Sequence, residues 1–527
     1  MSPDIPTPDA PPRQHKRSMQ LLALAVVLAL PAAFLAWGSF LLAPLGLGPG
    51  IPEGQTVSED LDRVQAEARL AAEKAAADDA RRERDAAIAL PVPAYDPNRS
   101  FTVAPGQTVV SLSFDDGLAG AARMADILGE ARMQGTFYVN SGLLDLPGYL
   151  TLRQAKEMAA EGHEIGGHTF SHKELVGLDQ AEAAREICQD RQNLLAYGFT
   201  PTNFAYPFAS GNEGVEQQVA GCGYNSARAL GDTASEGCLS CPPAESLAPA
   251  EPYVLKAPAQ VEADWTLADL QQQVLQAPPG SWTILTFHGL CPIECDYISI
   301  EEDLFREFVT WLAARTADGA VTVRTVQDVI GGPLQEGSAA PSPAPLLPGV
   351  NGVRNADLEQ WAGDLPRCWQ QGGFGDNDRT YGITEGMEGS LAMEVKVSGY
   401  RDGDAKFVTR QDLGECAVSV LPGQRYSVRA WYKSDARAQF SLYYRDVEGR
   451  WQYWTASSLL PSSSTFRQGS WTTPPVPEGA TALSFGLGLV SEGTLISDDY
   501  SLFDADGAPA AAAGAEEPDA AGQDHGG

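Results

Sequence analysis

The side chains able to do chemistry in this 527-residue chain are few and crowded together. Of its six histidines, His15 and His525 lie near the two ends, while His163, His168, His172 and His288 share one stretch. Three of these fall in G-H-E-I-G-G-H-T-F-S-H, residues 162–172. The i, i+4 spacing of His168 and His172, on the first turn of a helix, puts both imidazoles on one face where they can share a metal ion. The plain alternative is a pair of structural histidines. Asp115 and Asp116 close the apolar run that begins at Thr108, in S-L-S-F-D-D-G. Adjacent acids before glycine also have a plain reading, as a turn. Two histidines and one carboxylate, with positions left for water, make a hydrolytic metal site. The second carboxylate is then free to act as a base. His288, ending W-T-I-L-T-F-H, can supply a general acid.

Such residues need a scaffold that brings distant segments to one edge. Short β-like runs are read at Val109–Phe114, Gly135–Asn140, His163–Gly167, Asn203–Tyr206, Tyr224–Arg228, Trp282–Phe287 and Ala320–Arg324. Helical stretches at Ala119–Arg132, Ala181–Tyr197 and Leu304–Arg315 lie between them. This alternation predicts an α/β fold of parallel strands, an open sheet or a barrel, with chemistry at the carboxyl ends of the strands. No glycine-rich phosphate loop follows the first strand, which speaks against a nucleotide fold. Residues 333–349 read as a Pro-rich linker. Beyond it, over 350–504, short alternating segments broken by Gly, Pro and Ser predict an all-β sandwich.

Residues 19–43 hold no charge, and Arg13, Lys16 and Arg17 precede them. That pattern predicts a cytoplasmic arm over 1–18, a transmembrane anchor over 19–43 and an extracellular body. A cleaved signal peptide, giving a secreted protein, is the alternative; its apolar core is usually shorter, ~7–15 residues. Residues 56–90 are Ala- and charge-rich and read as a helical stalk, and 505–527 as a disordered acidic tail. The net charge of −33 speaks against nucleic acid or an anionic lipid surface as the partner of the folded part. Eight cysteines in an exported chain predict disulfides. Cys368 and Cys416, the only two in the sandwich, are expected to pair. In the first domain the six cysteines allow fifteen arrangements, of which Cys188–Cys222, Cys238–Cys241 and Cys291–Cys295 is the expected one, a further alternative being a four-cysteine zinc site.

S-F-D-D-G, H-T-F-S-H and L-T-F-H, in this order, resemble the motifs of polysaccharide deacetylases of the NodB-homology type, carbohydrate esterase family four. The resemblance covers roughly residues 105–331, within a domain expected over 101–332, and implies a distorted (β/α) barrel. It further implies Asp115 as general base, Asp116, His168 and His172 as ligands of zinc or another divalent ion, and His288 as general acid. Leu285 would line the pocket wall, and Tyr206 and Phe208 would belong to the third motif, with the Phe208 N–H receiving the oxyanion. That motif departs from the family's Arg-x-Pro-Tyr: Ala205 stands at the arginine, and Phe208 at the tyrosine. Asp264-Trp265 resembles the pair that partners the arginine. Arg228 either replaces the lost cation or bridges a surface carboxylate, the second being the expectation.

The last module resembles jelly-roll carbohydrate-binding modules, through Asn355-x-Asp357-Leu358-Glu359 and Asp498-Asp499-Tyr500-Ser501-Leu502. Trp451, Tyr453 and Trp454 are its sugar-stacking candidates, against a plain reading as core aromatics. Glu359 and Asp499 are candidate ligands of a structural calcium. The whole implies a membrane-held, metal-dependent hydrolase that removes acetyl groups, chiefly N-acetyl, from an extracellular or cell-wall polysaccharide. The alternatives are an O-acetyl esterase of the xylan type and a non-catalytic glycan-binding protein.

Overall fold

The computed structural model describes residues 75, 78–97, 102–235 and 238–516. The expected anchor, the first part of the stalk and the end of the acidic tail lie outside them. No helix among the described residues is long and apolar enough to cross a membrane.

In chain order the first domain contains β1 (Thr108–Phe114), β2 (Thr136–Val139), β3 (Glu164–Gly167), β4 (Asn203–Ala205) and β5 (Ser226–Arg228). There follow β6 (Glu245–Ser246), β7 (Ser281–Phe287), β8 (Gly289–Cys291), β9 (Ser299–Glu301) and β10 (Val321–Val323). Every residue of β1 is buried, as a parallel strand covered on both faces requires. It pairs with β7 from Val109 opposite Trp282 to Phe114 opposite Phe287. On its other side it meets β10 at its start and β2 at its end. The sheet order is β5-β4-β3-β2-β1-β7-β6, parallel throughout except for the short β6.

The sheet does not close into a barrel. Instead the outer edge of β5 is covered by an irregular segment, through Ala227 N–H to Pro252 O, Leu255 N–H to Ala227 O and Ala229 N–H to Leu255 O. The result is a curled half-barrel with its edge strand blunted. Around it pack α1 (Gly120–Glu130), α2 (Leu152–Ala160), α3 (Gln180–Ala196), α4 (Glu213–Gly221), α5 (Leu267–Leu275) and α6 (Glu302–Ala317). Three of these were not anticipated: α2, α4 and α5. Each is nonetheless capped by its own sequence, through Thr151 with Gln154, Asn212, and Thr266 with Asp269.

Residues 78–88 are helical and lie against the body instead of standing clear of it. Ala87 is buried in the core beside α1 and α2, and Arg84 pairs with Asp145 at 3.0 Å. The Pro-rich segment is likewise tied down, Arg191 donating to Gln335 O and Arg185 to Pro341 O. Lack of regular structure here is not lack of contact.

The C-terminal region is all-β. One sheet runs 369–374, 404–409, 482–489, 438–445, 451–456, and the other 378–385, 391–398, 493–504, 426–434, 463–472, both antiparallel. Their facing sides share one core that includes Trp369, Phe407, Val428, Phe440, Phe485 and Leu502. The disulfides are Cys188–Cys222, Cys238–Cys241, Cys291–Cys295 and Cys368–Cys416. The pairs expected from the sequence therefore form, and no cysteine is free to build a zinc site.

Candidate active site

β1 ends by handing Asp115 and Asp116 to the carboxyl edge of the sheet. The Asp115 N–H continues the ladder to Phe287 O at 2.9 Å. Asp116 then takes a left-handed backbone, φ 71°, a conformation that Asp tolerates better than most residues. This single turn makes the neighbouring carboxylates diverge. Asp116 faces the histidines, and Asp115 faces the interior of the sheet.

Asp116 Oδ1 lies 3.2 Å from His168 Nε2 and 3.0 Å from His172 Nε2. The three form one ligand-spaced group, all candidate donor atoms within 4.8 Å of one another. They are not on a helix, as the i, i+4 spacing suggested. Residues 168–172 form an irregular loop after β3, in which Thr169 and His172 have φ 70° and 58°. Backbone reversal does what helical periodicity was expected to do.

The donor set fits a divalent metal on this geometry. His168 Nδ1 lies 2.8 Å from the carbonyl of Ala205, which fixes that nitrogen as the donor and leaves Nε2 bare for a ligand. Burial pushes the Asp116 carboxyl up, but its close approach to the His168 and His172 imidazoles outweighs that and holds the group below the ordinary carboxylate range. A carboxylate that stays ionised beside two imidazoles suits zinc or a similar ion.

Asp115 is almost fully buried, and its Oδ2 accepts from Arg228 Nη2. Arg228 is itself fully buried, with its guanidinium carbon 5.3 Å from the centre of the Tyr138 ring. This corrects the surface reading of Arg228. The register explains it: Arg228 on β5 pairs directly with Ala205 on β4, so the cation enters from the adjacent strand. The position that loses the arginine and the position that supplies one are neighbours across a ladder. Asp115 Oδ1 is buried without a hydrogen-bond partner.

His288 Nε2 sits 3.9 Å from Asp115 Oδ2. Burial lowers the basicity of this imidazole below its ordinary value, so once protonated it is a stronger acid than a solvated histidine. Its Nδ1 is buried and unpartnered. Asp264, expected near this system, is exposed, and Trp265 packs half-buried against the domain core. Leu285 is fully buried in β7 beneath the site. Tyr206 is buried and spends its hydroxyl on Tyr253 O, so its side chain does not face a ligand. Phe208 projects outward at φ 57°, 67% exposed, its ring 4.8 Å from that of His172.

Two residues that the motifs did not flag hold the loop from behind. Asp190 on α3 accepts from Ser141 N–H at 2.8 Å and His168 N–H at 3.2 Å. Asn140 donates to the carbonyls of His168 and Thr169. An acid buried in a helix with an apolar periodicity was the available signal.

The second module disperses its candidates. On strand 451–456, Trp451 pairs with Arg445 and Tyr453 with Tyr443, but a bulge displaces Trp454. Trp454 packs against the sandwich core. Glu359 accepts from Leu391 N–H, and Asp499 is pushed up by burial and by the nearby carboxylates of Asp498, Asp357, Glu388 and Glu359.

Residues 102–227 match the family model described as polysaccharide deacetylase. A chitin deacetylase from Pestalotiopsis sp is 33% identical over 129 residues, 23% of this chain and 42% of that protein. A peptidoglycan-N-acetylmuramic acid deacetylase from Bacillus subtilis is 31% identical over 122 residues, 22% of this chain and 25% of that protein. A family 4 acetyl xylan esterase from Clostridium thermocellum is similar in structure, with a TM-score of 0.31, 18% identity and coverage of 43% of this chain and 94% of that one. The chain spans less than half the length of these two curated relatives. Residues 102–227, which carry β1 to β4 and the Asp116–His168–His172 group, are thus similar to polysaccharide deacetylases. The match ends within β5, so β7 and His288 join the site from beyond it.

Proposed function

We propose that the chain is a metal-dependent hydrolase that removes N-acetyl groups from an extracellular or cell-wall polysaccharide. The observation that carries this is the convergence, at one sheet edge, of the Asp116–His168–His172 group with the Asp115–Arg228 pair and His288. The names of the curated relatives, chitin deacetylase and peptidoglycan-N-acetylmuramic acid deacetylase, support acetylated aminosugar polymers as the substrate class.

Asp116, His168 and His172 would hold the ion, which when bound supplies Lewis acidity toward the acetyl carbonyl and the attacking water. Asp115 accepts the water's proton at Oδ1, while Arg228 holds Oδ2 and fixes the direction of the free lone pairs. The Phe208 N–H would receive the oxyanion, from an exposed residue whose ring lies 4.8 Å from that of His172. Its neighbours Ala209 and Ser210 spend their N–H groups on Tyr206 O and Pro207 O. His288 delivers a proton to the departing nitrogen, and its burial beside Asp115 keeps that proton from bulk water.

The uncharged segment 19–43 and its preceding basic cluster support a membrane-held body outside the cytoplasm. The aromatic strand 451–456 supports a sugar-binding task for the sandwich, with Glu359 and Asp499 the proposed calcium ligands there. The test is release of acetate from acetylated glucosamine polymers, with and without a chelator. Chelator-sensitive release is expected; chelator-insensitive release, or none from any acetylated polymer after metal loading, removes the reading.

A further inference from the structure

The sandwich meets the first domain at the segment 413–415, whose Leu413 and Glu415 N–H groups donate to Glu182, and at the turn Asp446 to Arg450 between strands 438–445 and 451–456. The turn is rigid: Asp446 Oδ1 accepts from the N–H groups of both Glu448 and Arg450, and Gly449 N–H bonds Asp446 O. Within its own domain Asp446 also accepts from Gln452 Nε2 and Thr481 Oγ1, while Glu448 and Arg450 bond across to the first domain. Arg450 Nη2 donates to Ser141 O at 2.6 Å, and Nη1 to Leu144 O at 3.2 Å. Glu448 accepts from Asn193 Nδ2 at its carbonyl and from the Tyr197 hydroxyl at its carboxylate, both at 2.8 Å.

Two routes run from this turn to the metal-ligand loop. In the first, Ser141, clamped at its carbonyl by Arg450, donates its N–H to Asp190, and Asp190 takes the His168 N–H on its other oxygen. In the second, Phe170 stands in the loop between the two histidines, buried, and the backbone of Gly449 lies against its ring. A Cβ at position 449 would come within 2.9 Å of Leu413 Cδ2 in its own domain and 3.1 Å of two Phe170 ring carbons. Gly449 also has φ +89°, a conformation that side chains other than glycine's rarely adopt. Phe170 O in turn accepts from Gly142 N–H at 2.9 Å, closing the circuit to the segment Arg450 holds.

We infer that the 446–450 turn of the sandwich is a positioning element for the deacetylase metal site, with Gly449 and Arg450 its working residues. The inference rests on the metal-site reading above. The loop that must hold two imidazoles at fixed separation is irregular and contains two left-handed residues. It therefore has no helical ladder of its own to define it, and it borrows definition from a β-turn anchored in a second core. On this account the appended sandwich is part of the machinery of metal binding.

The experiment is metal affinity of the full chain, by zinc competition against a chromophoric chelator, for Arg450→Ala, Arg450→Lys, Gly449→Val and the distant surface variant Arg401→Ala. Arg450→Ala and Gly449→Val should weaken zinc binding by about 10- to 100-fold, the range seen when outer-shell partners of ligands are removed. Arg450→Lys should recover part of the loss, since one ammonium can reach one of the two carbonyls. Arg401→Ala should change nothing. Near-ultraviolet circular dichroism reports whether both cores persist, and Arg450→Ala, which removes two hydrogen bonds at a partly exposed site, remains informative if Gly449→Val fails to fold. Wild-type affinity in Arg450→Ala overturns the inference. Asp116→Ala separates the two levels: if it too retains full affinity the metal site itself is misassigned, whereas loss in Asp116→Ala alone rejects only the role of the turn.

Discussion

Two clusters of chemically able residues stand out in this chain, and the fold treats them in opposite ways. The acids and histidines of the first domain come from strands and loops more than 50 and up to about 170 residues apart in sequence, yet meet within a few ångströms. The aromatic residues 451–454 are adjacent in sequence, yet a bulge sends them to different tasks: Trp454 to the core, Trp451 and Tyr453 to the face shared with Arg445 and Tyr443. Polar side chains buried at a sheet edge have few ways to be satisfied, so their convergence is informative. Aromatic side chains are equally at home in a core or on a sugar, so adjacency alone says little.

The largest way to sharpen that contrast is to remove a histidine. His168→Ala should weaken metal binding by more than ~100-fold, since outer-shell losses alone reach that figure. Titration with zinc that leaves affinity within a few-fold of wild type would mean that the group is structural.

Next in size is the buried ion pair. Arg228→Met leaves Asp115 buried without its cation, which should cost about 3–5 kcal/mol of stability and a large part of the rate. Urea unfolding and acetate release measure the two together. A stable and fully active variant would return Arg228 to the peripheral role expected from sequence.

In the sandwich the prediction is a division of labour. Trp454→Ala should destabilise by about 2 kcal/mol, less than for a fully buried tryptophan, and Tyr453→Ala should lower glycan affinity by up to ~10-fold with little change in melting temperature. The reverse pattern in melting and glycan-binding curves would exchange the two roles.

The smallest effect concerns Glu164, at the start of β3. It accepts from Thr136, Asn203 and the Gln327 N–H, and burial pushes it up to about 7. Between an unfolded value of about 4.3 and that value, the folded state holds the extra proton. Its contribution is therefore complete below about pH 4 and is lost as pH rises toward 7. Glu164→Gln should remove that decline from unfolding free energies measured between about pH 5 and 7. An unchanged slope would show that Glu164 is ionised in the fold.

Much of the scaffold was legible because parallel strands buried on both faces read as apolar runs, and every expected strand of the first domain appears, most of them shorter by a residue or two. The helices α2, α4 and α5 are harder to read although their caps are written at Thr151, Asn212 and Thr266, since nine residues give a helical period little length in which to show. Asp115, Asp116, His168, His172 and His288 were readable from type and spacing. Arg228 was not, because only strand register reveals that it stands beside Ala205. Nor does any local pattern disclose that a turn 280 or so residues downstream of His168 would brace its loop. Contacts of that range belong to tertiary structure.

On the proposed reading, one left-handed residue, Asp116, divides two adjacent carboxylates into a base and a ligand. Metal content and acetate release measured side by side in Asp115→Asn and Asp116→Ala test it most directly. Asp115→Asn should keep its metal and lose the rate by about 10²–10⁴-fold, as for removal of a general base, while Asp116→Ala should lose metal and activity together. Equal loss of metal in the two variants, or normal acetate release in both, would contradict the account.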